Sequence, residues 1–242
     1  MFDLSKPQKE IQKAAKAFAR GEFDKELANE WEQSGTFPET IWKKAAELGF
    51  IGIHFPEQYS GGGLGLFENA LVIEAFCRAD PSIGSALAQS SQAAETLLRF
   101  GSEPLKMEIL PKIAEGNMLL GKAFSENERG GDYTRISATA QHQADNWLVN
   151  GEKAHVLNGV NAGAYVVLCR TGLEDDPVEK RLSLLLLENS SKGIEIRPNG
   201  RRLGNNMVSS ATIRFNQVSV PEGNLIGREG QGFKQLQRYL AK

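Results

Sequence analysis

The chain changes hydrophobic period near its middle. In the first half apolar residues recur at helical spacing: Ile11, Ala14, Ala15 and Phe18 form one stripe, and Ile41, Trp42, Ala45 and Leu48 another, with Gly49 as a carboxyl-terminal stop. Each stripe predicts a surface helix with one buried face. Leu66, Ala70, Ile73 and Cys77 share a face of a more apolar helix that ends at Asp80 and Pro81. Across 83–100, small and apolar residues such as Leu87, Ala93, Ala94 and Leu97 occupy nearly every face, which predicts one helix buried in a bundle. Gly101 ends it, and Ser102 with Pro104 opens another whose buried face is Leu105, Ile109, Leu110 and Ile113. The stretch IGIHFPEQYSGGGLG predicts a loop, because Pro56 is followed by glycines at 61, 62 and 63. It is either a phosphate cradle or a turn that caps the bundle; no Lys follows the glycines as a Walker loop requires.

Beyond Gly116 the alternation becomes strand-like. Residues 147–149, 164–169, 182–187 and 194–197 predict short strands, and Ala211, Ile213 and Phe215 alternate with Thr212, Arg214 and Asn216 as a half-buried strand does. The pairs Asp145-Asn146 and Asn150-Gly151 predict turns, and GLEDDPVEK a solvated hairpin tip. Segments 122–132 and 153–159 each predict a strand running into a Gly- or Asn-containing turn, and together they gather backbone amides into the candidate site. After Pro221 and Gly223, GREGQGFKQLQRYLAK predicts a new helix with Phe233, Leu236 and Leu240 on one face, which reads as cut because no stop follows. The expected fold class is α+β and multidomain: an amino-terminal all-α helical bundle over 1–119, an antiparallel β-barrel or sandwich over 120–230, and the start of a truncated helical domain over 231–242.

Composition narrows the functional classes. The chain has 242 residues, 40% of them hydrophobic, enough for a sizeable core in one or two domains. Lys plus Arg number 28 against 30 Asp plus Glu, and a net charge of -2 supplies no field that favours nucleic acid or an anionic membrane. The amino terminus lacks the apolar core of a secretory signal, and no stretch approaches the ~20 apolar residues of a membrane span. The two cysteines, Cys77 and Cys169, lie far apart in apolar segments, which suits buried thiols in a reducing, cytoplasmic setting better than a disulfide or metal site.

Several motifs in order resemble the acyl-CoA dehydrogenase family. DPSIGSALAQSS and LLRFGSEPLKMEILPKIAEGNM resemble its helical amino-terminal domain, NGEKAHVLNGVNAGAYVVLCRT its middle-domain strands, and RRLGNNMVSSATIRFNQVSVPEGNLIGREGQGFK its closing strands. The segment around 124–132 is similar to the family's flavin motif, roughly T-E-P-x-A-G-S-D, and 151–159 to G-x-K-x-W-I-T-N-G. The resemblance implies FAD as cofactor, with Phe124, Ser125, Glu126, Gly130, Gly131, His155, Val156 and Leu157 as cofactor-binding residues and Gly131 also at the substrate. Ser125, Glu126, Gly130, Asp132, Asn158 and Gly159 keep the pattern. Asn127, Glu128 and Arg129 replace P-x-A, Gly131 replaces a Ser, His155 a flavin-packing Trp, and Leu157 a Thr that meets the flavin N5. Losing one such donor costs of order 1 kcal/mol, and imidazole covers less ring area than indole.

The implied activity is α,β-dehydrogenation of a fatty acyl-CoA thioester, with hydride transfer to FAD and electrons passed to a partner such as an electron-transferring flavoprotein. A homo- or hetero-oligomer is implied, with no nucleic acid, membrane or metal. In the family the base is usually a Glu of the carboxyl-terminal helical domain, so no residue here is assigned as catalytic. The departures at Gly131, His155 and Leu157 motivate an alternative, a flavin-poor non-catalytic subunit of a heteromeric enzyme. An acyl-CoA oxidase, or an enzyme of carrier-bound acyl groups, is a third. On residue type alone His155 also reads as a hydrogen-bonded structural His, Arg129 as a surface partner of Glu126 or Glu128, and Arg201 and Arg202 as solvated charges or CoA phosphate contacts.

Overall fold

The computed structural model describes residues 3–128 and 130–241. Ser5 starts α1 (Lys6–Glu22): its hydroxyl accepts from the Gln8 N–H, and the Gln8 amide oxygen accepts from the Ser5 N–H, so two end donors are satisfied. Asp24 caps α2 (Lys25–Ser34), accepting from the Leu27 N–H at 2.8 Å. The pattern did not reveal this helix, because Ala28 is its only buried residue and leaves no stripe to read. Then follow α3 (Glu39–Glu47), α4 (Leu66–Ala79), α5 (Pro81–Gln89), α6 (Ala94–Phe100) and α7 (Glu103–Ala114). The single helix expected over 83–100 is thus two. Its break falls at Ser90, whose buried hydroxyl donates to the Leu87 carbonyl at 2.7 Å and competes with helix propagation.

One compact unit holds α1 to α5, residues 109–117 and Arg201–Val208. Phe18, Phe23, Phe50 and Phe76 meet in its core with ring centroids 5.4–6.1 Å apart. The segment Arg201–Val208 is pinned through Glu32, whose carboxylate accepts from the Asn206 backbone N–H at 2.9 Å and from its side-chain amide at 2.9 Å. Arg202 corrects the solvated-charge expectation: its guanidinium donates to the Asn205 and Val208 carbonyls and shapes this loop, while Arg201 is exposed. The glycine run is the capping turn. A Cβ on Gly61 would lie 2.2 Å from the Phe55 carbonyl oxygen, and Gly63 has φ +65°. All three amides bond this loop's own carbonyls, Gly61 to Pro56, Gly62 to Gly52 and Gly63 to Phe55, so none is left to cradle a phosphate.

The second unit holds α6, residues 103–108, Met118–Gly200 and the chain from Ser209. Its strands are β1 (Leu120–Ala123), β2 (Thr139–Gln143), β3 (Asn146–Leu157), β4 (Ala164–Arg170), β5 (Leu182–Glu188), β6 (Ile194–Pro198), β7 (Ser210–Pro221) and β8 (Leu225–Ile226). A four-residue α8 (Val178–Arg181) lies between β4 and β5, and α9 (Gly232–Leu240) follows β8. The sheet runs β6-β7-β3-β2-β4-β5-β8 and is open, not a closed barrel; β1 pairs with β4 in parallel, and so does β2, making it mixed. Six successive residues are buried in each of β4 and β5, as in strands covered on both faces.

Two local expectations change here. Asn150-Gly151 is not a turn, since β3 passes through it for twelve residues. Gly151 at φ +137° backs onto Ala138, and the Asn150 side chain accepts from the Gln217 N–H where β7 carries an extra residue. In α9 the buried residues are Gly232, Gln235 and Leu236, while Leu240 is exposed. Gln235 reaches inward because its amide donates to the Ile226 carbonyl at 3.0 Å. We expect Gly61→Ala to destabilise the helical unit by about 1–3 kcal/mol through overpacking. Gly131→Ala, where a Cβ meets nothing within 4 Å, shifts stability by less than about 0.5 kcal/mol; urea midpoints of the two variants check the contrast.

Candidate functional site

The site grows from two segments of the second unit. The chain leaving β1 continues alongside the end of β3, where the Ala154 N–H donates to the Ser125 carbonyl at 2.8 Å. Beside this bond lies a buried ion pair. The Lys153 ammonium, fully buried, donates to Glu126 Oε1 at 2.9 Å and to the Phe124 carbonyl at 3.3 Å. Glu126 also accepts from the Ser137 N–H at 2.9 Å, the Ser137 hydroxyl at 2.5 Å and the Ala138 N–H at 3.0 Å. One carboxylate therefore ties together the turn after Phe124, the entrance to β2 and the second half of strand β3. Charge pairing with hydrogen bonds to both oxygens is what makes such burial tolerable.

The electrostatics follow from this packing. Burial raises the Glu126 carboxyl, but the Lys153 charge and the Ser137 and Ala138 donors outweigh it and hold it down at about 2. Burial pushes the Lys153 ammonium down, opposed by Cys169 and Glu126. It also pushes the neighbouring Cys169 thiol up to about 12, so that thiol is inert.

The local backbone decides which side chains face outward. From Lys153 to Val156 β3 advances three residues while β7 advances two, so β3 carries a bulge. His155 occupies it at φ +54°, a left-handed conformation costly to a non-glycine residue. The bulge lets Lys153 and Ala154 both turn inward, exposes His155 and buries Val156. Asn158 at φ +57° then turns the chain, donating its N–H to the Ser209 carbonyl at 2.8 Å.

The expected site residues separate into two groups. Ser125 is half-buried, His155 exposed, Leu157 half-buried, and Gly130 and Gly131 exposed with open space at their Cβ positions. The Ser125 hydroxyl and the His155 ring make no hydrogen bond among the described residues, which corrects the reading of His155 as a bonded structural histidine. Phe124, Glu126 and Val156 instead point into protein: Phe124 is 3% exposed and meets Tyr133 edge to face, and Glu126 is spent on the ion pair. Only the backbone of these three is open to a ligand role. An antiparallel bridge between Glu126 and Gly130 closes the turn that Gly131 directly follows. Asp132 accepts from the Thr134 N–H at 3.1 Å and shapes the following turn. Arg129 lies outside the described residues. The residue missed by sequence reasoning is Lys153; the signal was a lysine among buried neighbours in GEKAHVL, paired with the lone acid of FSEN that follows a strand.

The chain matches the model of the acyl-CoA dehydrogenase N-terminal domain over residues 5–117, and that of the middle domain over 121–218. It belongs to the acyl-CoA dehydrogenase family. It is 33% identical over 230 residues to a mitochondrial isobutyryl-CoA dehydrogenase of Dictyostelium discoideum, covering 95% of this chain and 55% of that protein. A chain in the structure of the electron transferring flavoprotein of Acidaminococcus fermentans superposes with TM-score 0.92 at 30% identity, over 99% of this chain and 63% of that one. A chain of the glutaryl-coenzyme A dehydrogenase glutaryl-CoA complex superposes with TM-score 0.92 at 28% identity, over 99% and 61%. The chain thus spans a little over half the length of the curated relative.

No helix among the described residues is long and apolar enough to cross a membrane. We expect Lys153→Met to cost about 3–5 kcal/mol by stranding a buried carboxylate, and the double variant Glu126→Leu/Lys153→Met to cost less than that single change. Urea unfolding of the three proteins reads this sign directly. Because the Glu126 pKa is depressed on folding, its contribution is complete above about 4.5 and is lost as pH falls towards about 2. Acid unfolding curves should lose that limb in Glu126→Gln.

Proposed function

We propose that this chain supplies the flavin-facing surface of an FAD-dependent acyl-CoA dehydrogenase. The observation that carries the reading is that the two motif segments are joined by the Ala154 to Ser125 bond and one buried ion pair, while the Gly130-Gly131 turn, the Ser125 hydroxyl and His155 stay unburied. The residues fit a flat heterocycle: an open glycine pair admits close approach, the hydroxyl offers a hydrogen bond at a ring edge, and His155 and Leu157 offer surface to pack on. Flavin, when bound, accepts the hydride from the β-carbon of the thioester. The chain's own part is to orient the ring, exclude water with the apolar side chains and hold the Gly131 backbone against the substrate. Glu126 is no candidate for removing the α-proton, since a carboxyl held at about 2 by a lysine and three donors is a weak base. The electron acceptor in this reading is a separate electron-transferring flavoprotein, and the substrate an acyl-CoA.

Leu157 offers no donor and Gly131 no hydroxyl, and these two features favour a second reading, a non-catalytic subunit that pairs with an active homologue. The visible spectrum of the full-length protein separates the two. We expect a flavin band that bleaches anaerobically when an acyl-CoA is added; a colourless protein that takes up no FAD favours the subunit. Leu157→Thr should tighten FAD by roughly fivefold, the equivalent of one hydrogen bond of about 1 kcal/mol, measured as flavin retained through gel filtration. Unchanged retention would place the flavin elsewhere.

A further inference from the structure

Lys122 is the half-buried residue of β1, a strand whose other three members are buried. Its ammonium donates to the Tyr239 hydroxyl oxygen at 3.5 Å and lies 5.3 Å from the centre of that ring, so β1 meets α9 through this pair. No carboxylate lies within ion-pair reach of Lys122 among the described residues. The acid on facing α6, Glu95, accepts instead from Arg99 Nε at 2.7 Å. Arg99 also donates to the Arg238 carbonyl at 2.9 Å, which holds the turn of α9 that carries the phenol. The lysine is thus left with a neutral partner whose position is fixed by other contacts.

The partner decides the state of the amine. Lys43, Lys44 and Lys106 pair with Glu39, Glu22 and Glu103, and an opposite charge at such distances favours the ammonium. Lys153 is enclosed together with Glu126, out of reach of any reagent. At Lys122 burial pushes the ammonium pKa down. Burial also pushes the Tyr239 phenol up, with Glu95 adding to the rise and Arg99 opposing it, so the hydroxyl keeps its proton and supplies no compensating charge. The ring face favours the cation, but less than a carboxylate would. A larger share of this amine is therefore unprotonated, and an unprotonated lysine attacks carbonyl carbon. Lys122 lies three residues before Ser125, so at most about 11 Å of backbone separates it from the candidate flavin surface.

We propose that Lys122 is a self-acylation site, whose amine takes the acyl group from a thioester. The nitrogen lone pair adds to the thioester carbonyl carbon, the C–S bond breaks, and the thiol leaves with the proton that nitrogen releases. An amide remains on Nζ, and no oxidant or reductant is consumed. The inference rests on the acyl-thioester reading above and adds a modification of the chain by its own ligand. The amide carries no charge, so the contact between β1 and α9 over the Tyr239 ring is lost with it.

The test incubates full-length protein with acetyl-CoA or with the acetyl thioester of N-acetylcysteamine, which lacks the nucleotide, and follows each lysine by peptide mass spectrometry. Lys122 should gain the acetyl group at least about tenfold faster than Lys9 and Lys13, exposed lysines of α1 that serve as references. Its rate should also level off at a lower pH than theirs. Tyr239→Glu supplies the carboxylate that the pair lacks, and should slow Lys122 at least about tenfold while leaving Lys9 unchanged. Tyr239→Phe, which keeps the ring and the burial, should leave Lys122 fast. Absence of acetyl on Lys153 in each variant reports that the second unit stays folded. A rate at Lys122 no faster than at Lys9 with either thioester overturns the proposal, as does indifference to Tyr239→Glu in the folded variant. Fast acetylation of Lys122 in a protein that holds no flavin leaves the site standing and overturns the dehydrogenase reading instead.

Discussion

The second unit's site depends on one buried contact, the Lys153 ammonium against the Glu126 carboxylate at 2.9 Å. Neither charge is tolerable alone in that position. Together, and with Ser137 and Ala138 donating to the same carboxylate, they add a side-chain lock to three chain segments, the turn after Phe124, the entrance to β2 and β3 at Lys153. The Gly130-Gly131 turn begins from Glu126, and the bulge at His155 lies two residues beyond Lys153, so both adjoin the lock. A hydrophobic substitute of similar shape would fill the space but would not specify where the turn enters β2.

The bulge shows how sequence, backbone and function connect. A regular β3 would alternate Lys153 inward, Ala154 outward and His155 inward, placing the imidazole in the core. One extra residue reverses this, at the expense of a left-handed His155. Strain of about 1–3 kcal/mol held by a surrounding fold is typical where a side chain must be aimed. Here the aimed side chain follows Ala154, the residue whose N–H joins β3 to the Ser125 carbonyl.

Much of the fold was legible because period is legible. The helical stripes through Phe18, Ile41 and Leu105 and the continuous apolar runs of β4 and β5 all carry their burial in their spacing. What escaped had no apolar signal or a misleading one. Helix α2 buries a single alanine, Ser90 splits a helix that composition alone would continue, and Asn150-Gly151 has turn chemistry yet lies within a strand because Gln217 opposite absorbs the extra residue. At the candidate site, motif order pointed to segments 124–132 and 153–159 but could not say which side chains face out. Glu126 and Val156 share a motif with Ser125 and His155, and only the bulge and the ion pair separate the buried from the exposed. Lys153 was passed over because a charged residue in a strand ordinarily reads as solvated, and its pairing with Glu126 is invisible to local spacing.

Backbone amide hydrogen exchange of the full-length protein, with and without added FAD, tests most directly whether segments 124–131 and 153–158 form the flavin surface. The account predicts that FAD slows exchange in these two segments together, while the amides of β4 and β5, already buried, change little. Protection confined to other parts of the chain, or none despite bound flavin, would contradict it.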